Sequence, residues 1–202
     1  MSKVIADISM SLDGFITGPN DNPKLPLGEG GTELHSWLFS GDKPSKHNDF
    51  FQLSELNREV YDEAVDQTGA MIVGRRTYDL VNGWEGSHPV AGVPVFIMTH
   101  EPPENYPQGH TSFTYVTDGI DSAIKQAKEA AQGKNVSIGT ATVIRQAIKA
   151  GLLEEVFLHV SPVLLGGGIR LFGGRELDQK KLEIQQVIDG KNVTHLRYRI
   201  LK

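Results

Sequence analysis

Met71-Ile72-Val73-Gly74-Arg75-Arg76-Thr77 and Val136-Ser137-Ile138-Gly139-Thr140-Ala141-Thr142-Val143 are the two stretches whose reading decides the fold. In each, a short apolar run ends at a glycine, small or hydroxyl residues follow, and a helical pattern begins. A helix N-terminus leaves backbone N–H groups unpaired and carries partial positive charge, so it can hold a phosphate. Glycine at that point lets a ligand approach the backbone closely. The first turn adds Arg75 and Arg76, whose planar forks suit phosphate oxygens. Two such turns on one chain suggest a dinucleotide phosphate held between them. The competing reading is a pair of ordinary strand-to-helix connections, where glycine is also common.

Working outward, strands and helices alternate. Lys3 to Ser11 reads as a first strand, closed by a tight turn or bulge at Leu12-Asp13-Gly14-Phe15. Gly18 to Asn48 is rich in Gly, Pro, Asn and Asp, with one apolar patch from Leu34 to Phe39. A connection of that length is expected to be functional, as a lid over a pocket. Helical spacing appears in Phe51 to Ala64, Ile120 to Ala131 and Ala141 to Ala150, the last ended by Gly151, and a short helix begins at Thr77. Strands are expected at Ala70 to Val73, Val93 to Met98, Ser112 to Val116, Asn135 to Ile138 and Glu155 to Val160. Pro162 to Gly174 reads as a glycine-rich loop. Leu182 to Ile188 and Val193 to Leu201 alternate with period two across Asp189-Gly190-Lys191-Asn192, an antiparallel hairpin. The pattern predicts a single α/β domain over 1–202, with a mostly parallel sheet, helices on both faces and a C-terminal hairpin. Ligands of such sheets bind beyond the carboxyl ends of the strands, where Gly74, Thr99 and Gly139 all fall.

Composition narrows the function classes. The chain has 202 residues, a net charge of −5 and no cysteine. The acidic balance argues against a nucleic-acid-coating or membrane-surface protein. Thiolate metal sites, disulfides and cysteine nucleophiles are excluded, and the histidines show no metal-ligand spacing. With no run of 18 apolar residues and no basic-then-apolar leader, the chain reads as cytoplasmic.

The spaced set Met10-Ser11-Leu12-Asp13-Gly14, Val73-Gly74-Arg75-Arg76-Thr77-Tyr78, Ile138-Gly139-Thr140-Ala141 and Gly151-Leu152-Leu153-Glu154-Glu155 resembles the dihydrofolate-reductase-like superfamily. Ser161-Pro162-Val163-Leu164-Leu165-Gly166-Gly167-Gly168, followed by Leu171-Phe172, resembles the reductase domain of the bifunctional riboflavin-biosynthesis deaminase–reductase. No deaminase motif is present, so the resemblance is to a stand-alone reductase. It implies a three-layer dihydrofolate-reductase-like fold and NADPH lying along the strand ends. Gly74, Arg75, Arg76 and Thr77 match the turn that holds the 2′-phosphate and pyrophosphate, and Thr99 matches a contact on the adenosine side. Gly139, Thr140, Ala141 and Thr142 match the second phosphate turn, with Thr140 where a second glycine is common. The activity implied is hydride transfer from NADPH to a small heterocycle or a ribosylaminopyrimidine. Homodimers are common in this branch, and Val156 to Val160 with the hairpin is one candidate interface.

Two residues are candidates on the substrate side. Asp13 matches an aspartate of the reductase's first turn and either positions or protonates substrate, or forms an Asx-type turn with Gly14. His35, in Gly31-Thr32-Glu33-Leu34-His35-Ser36-Trp37-Leu38, either donates a proton near neutral pH or is merely solvated. The Gly166-Gly167-Gly168-Ile169-Arg170 loop either wraps a phosphorylated substrate or simply crosses toward the hairpin. Folate reductases carry an acid on the first long helix; the corresponding place falls near Arg58, which tells against a folate substrate. A pteridine reductase and a non-catalytic nucleotide- or flavin-binding protein remain the alternatives.

Overall fold

The computed structural model describes residues 2–173 and 177–201. Gly174, the last residue of the expected glycine-rich loop, lies outside them. The strands are β1 (Val4–Ser11), β2 (Phe15–Thr17), β3 (Lys43–Pro44), β4 (Gln52–Leu53), β5 (Thr68–Gly74), β6 (Val95–Met98), β7 (Phe113–Val116), β8 (Asn135–Ile138), β9 (Glu155–Ser161), β10 (Ile169–Arg170), β11 (Leu182–Gly190) and β12 (Val193–Ile200). The α-helices are α1 (Glu55–Gln67), α2 (Arg75–Leu80), α3 (Ile120–Ala130) and α4 (Ala141–Lys149).

Eight strands form one sheet in the order β11-β12-β9-β1-β8-β5-β6-β7. The six from β9 to β7 run parallel, β12 pairs antiparallel with β9, and β11 pairs antiparallel with β12. Alternation along β1 sends Val4 and Ala6 into the large core under α3 and α4, while Ile5 joins Val60 of α1 and Phe157 on the opposite face. This is the expected three-layer α/β arrangement. Spacing along α4 explains its place, since Ala141, Ile144, Ala147 and Ile148 are all buried.

Four local expectations are corrected. The first long helix starts at Glu55, not Phe51, because the Ser54 side chain caps it by accepting from the Asn57 N–H at 3.4 Å. Gln52–Leu53 is extended instead and pairs with Lys43–Pro44. Helix α2 begins at Arg75, directly after Gly74, so both arginines lie in its first turn. Part of the supposed lid is scaffold: Gly31–Phe39 is a 3₁₀ helix that buries Leu34, Trp37 and Leu38. The apolar patch at Leu34 to Phe39 carried that signal. Strand β9 lies inside the sheet, so Val156 to Val160 offers no free edge, whereas β11 does. The hairpin turn is two residues long, with Gly190 paired to Val193 and Asn192 at φ +63°.

Candidate functional site

Strands β5, β6 and β8 are parallel and in register, so Gly74, Thr99 and Gly139 come together at one edge of the sheet. A cleft of about 770 Å³ opens there. Its walls include Gly74, Arg75, Arg76, Thr77, Thr99, Gly139, Thr140, Ala141 and Thr142, the whole set expected from sequence to hold a nucleotide. A cleft of this size falls in the range of small-molecule sites, ~300–1,000 Å³.

The residues fit a phosphate-bearing ligand. The first turn of α4 presents backbone N–H groups with no intrahelical acceptor. Apart from its two chain neighbours, no described residue has an atom within 4 Å of the place where a Cβ on Gly139 would sit, so the backbone there is open to approach. The Thr140 hydroxyl does not cap its own helix. It accepts from the Gly74 N–H at 3.0 Å and so ties the two phosphate turns together. Both arginines are engaged already. Arg75 donates from Nε to Asp79 at 2.7 Å and from Nη1 to the Glu101 carbonyl at 2.6 Å and Thr99 Oγ1 at 3.3 Å. Arg76 makes a bidentate pair with Asp21, at 2.7 and 3.1 Å, from the loop that overhangs the cleft. Asn82 to Gly86 is a run of five left-handed residues that places Trp84 in the cleft wall. Such backbone is strained at Trp84 and Glu85.

A second cavity of about 270 Å³ shares Ile8, Ser9, His35 and Gly139 with the cleft. Trp37, Phe51, Tyr61, Met71 and Pro89 form much of its apolar wall, and Asp7, His88 and His159 add polar groups. None of the described lining residues is lysine or arginine. His35 lines both cavities. Burial and the neighbouring His159 pull its pKa down to about 4, so the ring is neutral at pH 7. Its Nδ1 is buried without a hydrogen-bond partner among the described residues. His35 therefore presents a buried, neutral imidazole where the two cavities meet, and is not simply solvated.

Asp13 lines neither cavity. Its carboxylate accepts from Ser11 Oγ at 2.6 Å, the Gly166 N–H at 2.7 Å and the Leu165 N–H at 3.1 Å. The Ser11 hydroxyl and those two amides hold its pKa down to about 2, so it is an anion at working pH. Asp13 thus straps the first turn to the glycine-rich loop. That loop is equally structural: Gly168 sits at φ +118°, where a Cβ would meet the Thr17 carbonyl oxygen at 1.9 Å. Only Ile169 of the Gly166–Arg170 run reaches the cleft.

Sequence reasoning missed Asp7, His159, His195 and Asn57, which meet beside the second cavity. His159 Nε2 is 2.9 Å from Asp7 Oδ1, and His159 Nδ1 is 2.7 Å from His195 Nδ1. His195 Nε2 is 3.3 Å from Asn57 Oδ1. The available signal was a polar residue, Asp7 or His159, within strand runs otherwise read as core.

A mostly parallel α/β sheet with a cleft beyond the carboxyl ends of its strands places this chain in the class of open-sheet proteins that bind ligands at that edge. The chain belongs to the RibD C-terminal domain family, whose pattern it matches over residues 2–196. Uncharacterized protein YwjB of Bacillus subtilis (strain 168) is 27% identical over 173 residues, 84% of this chain and 82% of that one. Among solved structures, a protein from Shewanella sp. PV-4 named for riboflavin biosynthesis superposes with a TM-score of 0.71 at 22% identity, covering 100% of both chains. The diaminohydroxyphosphoribosylaminopyrimidine deaminase/5-amino-6-(5-phosphoribosylamino)uracil reductase of Thermotoga maritima gives 0.61 at 13% identity, covering 99% of this chain and 57% of that one. Dihydrofolate reductase from Enterococcus faecalis, complexed with NADP(H), gives 0.53 at 14% identity, covering 99% and 97%. The fold is therefore dihydrofolate-reductase-like. No helix of the described residues is long and apolar enough to cross a membrane.

Proposed function

We propose that this chain is a riboflavin-reductase-like oxidoreductase that takes hydride from NADPH and delivers it to a small heterocycle. One observation carries the reading. The cleft that gathers Gly74 to Thr77, Thr99 and the start of α4 runs into a smaller, aromatic-walled cavity, and the two share Ile8, Ser9, His35 and Gly139. Gly74 to Thr77, Thr99 and the N-terminus of α4 would hold the nucleotide, which supplies the hydride when bound. The protein's own task is orientation. Trp37 and Tyr61 confine a planar ring, and neutral His35 offers a hydrogen bond at the junction. Among the described residues of the cavity wall, a phosphoribosyl arm meets no lysine or arginine. That favours a heterocycle without a phosphate over a phosphoribosylaminopyrimidine.

The test is NADPH oxidation, followed by absorbance, on a panel of pteridines and aminopyrimidines with and without a ribosyl phosphate. Turnover of a phosphate-free member is expected. NADPH binding without oxidation of the cofactor by any of them would turn the reading toward a nucleotide-binding protein.

A further inference from the structure

The Asp7–His159–His195–Asn57 chain holds more protons than its ordinary charge states supply. Asn57 Nδ2 faces the Trp37 and Lys191 carbonyl oxygens at 3.2 and 3.0 Å, which only accept, and Ser40 Oγ at 2.9 Å. The amide is thereby oriented with Oδ1 toward His195, so His195 Nε2 carries a hydrogen. Each of the three contacts from Asn57 to Asp7 joins two lone-pair atoms, and each needs one proton between them. Two neutral imidazoles bring two protons. The third is additional.

Its place follows from the environment. Burial, helped by His159, pulls the His195 pKa down to about 3, so that ring is neutral and its Nδ1 accepts. His159 Nδ1 must then donate, and the extra proton lies between His159 Nε2 and Asp7 Oδ1. The far end of the chain is sealed. A Cβ on Gly190 would stand 2.3 Å from Asn57 Oδ1 and 2.9 Å from His195 Nε2, so only glycine fits there. The near end is open, because Asp7 and His159 both line the second cavity. Their side chains are 24% and 6% exposed, and the Trp37 ring covers His159 at 4.7 Å. The ionisable groups around the pair are His35 from the 3₁₀ helix, Tyr61 from α1, His88 from the loop after Gly86 and His195 from β12. Arg197, on the same face of β12 as His195, lies over the Phe157 ring at 4.4 Å.

We propose that the Asp7–His159 pair stores one transferable proton at the wall of the second cavity and is the proton donor of the reduction. Its use in catalysis rests on the reductase reading above; the proton count does not. As the C=N carbon of a bound heterocycle accepts hydride from the reduced nicotinamide, the π electrons move to nitrogen. That nitrogen takes the proton from the pair, which becomes a carboxylate and a neutral imidazole and is reloaded from water. The ligands selected are planar bases with a ring nitrogen adjacent to the acid.

Nitrogen-15 NMR of histidine-labelled protein without ligand tests the proton count at neutral pH. Both nitrogens of His159 are expected to be of the protonated type, and His195 to carry hydrogen at Nε2 only. In Asp7→Asn the amide can donate to His159 Nε2, so the contact survives while the extra proton is lost. His159 then becomes neutral with hydrogen at Nδ1. An unprotonated His159 Nε2 in the parent protein, or the same state in both proteins, overturns the proposal. The parent spectrum decides this even if the variant folds poorly. Saturation with 2-aminopyridine, a planar base, tests delivery: His159 Nε2 should shift toward the unprotonated type in the parent and stay still in Asp7→Asn. No shift in the parent overturns delivery. Protonated His159 with no NADPH oxidation on any substrate defeats the reductase reading alone; oxidation with unprotonated His159 defeats this inference alone.

Discussion

Replacing Asp21 by asparagine should tighten NADPH binding and leave NADH binding unchanged. Asp21 occupies the Arg76 fork with two contacts, Nη2 to Oδ1 at 2.7 Å and Nε to Oδ2 at 3.1 Å, where the 2′-phosphate is expected to sit. The phosphate must displace that carboxylate before it can use Arg76. The Arg76 side chain is 63% exposed and that of Asp21 13%, so the pair is largely open to solvent on the arginine side. Ion pairs of this kind are worth about 0.2–1 kcal/mol. Removing the competing charge should therefore raise NADPH affinity by up to roughly fivefold. The same exposure discounts the value of Arg76 itself. A charge-assisted hydrogen bond of ~1.5–3 kcal/mol applies to a well-shielded partner, so Arg76→Ala should weaken NADPH by only about five- to tenfold. Binding can be followed by quenching of Trp84 fluorescence, since Trp84 lines the cleft. Equal tightening of NADPH and NADH in Asp21→Asn would mean that the loop has merely opened. Weaker NADPH binding would make Asp21 part of the site, and either result refutes the competition.

Stability should fall as the solution is acidified through the histidine range. The folded-state pKa of His195 is about 3, and those of His35 and His88 are about 4, all lowered first by burial. Each ring is neutral when folded and takes up a proton when unfolded below about pH 6.5, so the stabilisation is complete above that pH and is lost below it. The upper bound is about 1.4 kcal/mol per histidine per pH unit, giving a falling Tm between about pH 6.5 and 4; a Tm flat across that window would contradict the buried neutral rings. We also expect a homodimer that uses the outer strand β11, where Ile184 and Val187 are 64% and 58% exposed. Sedimentation should show the double variant Ile184→Lys/Val187→Lys as a monomer. A monomeric parent protein at the same concentration would dispose of this interface.

Much of the architecture was legible because it is written in local physics. Period-two alternation placed the hairpin, glycine after a short apolar run marked both strand-to-helix turns, and Gly151 marked the end of α4. Those signals need only a few neighbouring residues, so they survive without knowledge of the fold. The residues that line the large cleft were legible for the same reason, once parallel strands brought their carboxyl ends to one edge. Where local readings competed, burial decided. Trp37 and Leu38 left the supposed lid for the core, and Asp13 became a strap because the loop amides at Leu165 and Gly166 return to it from 152 and 153 residues away. The proton-bearing cluster had no local signature. Asp7 meets His159 across 152 residues, His159 meets His195 across 36, and His195 meets Asn57 across 138. The sequence by itself determined a mostly parallel α/β sheet with two glycine turns from strand to helix. Only the tertiary structure decided which polar side chains share a buried wall, because that pairing depends on strand order and register, and no short stretch of chain encodes either.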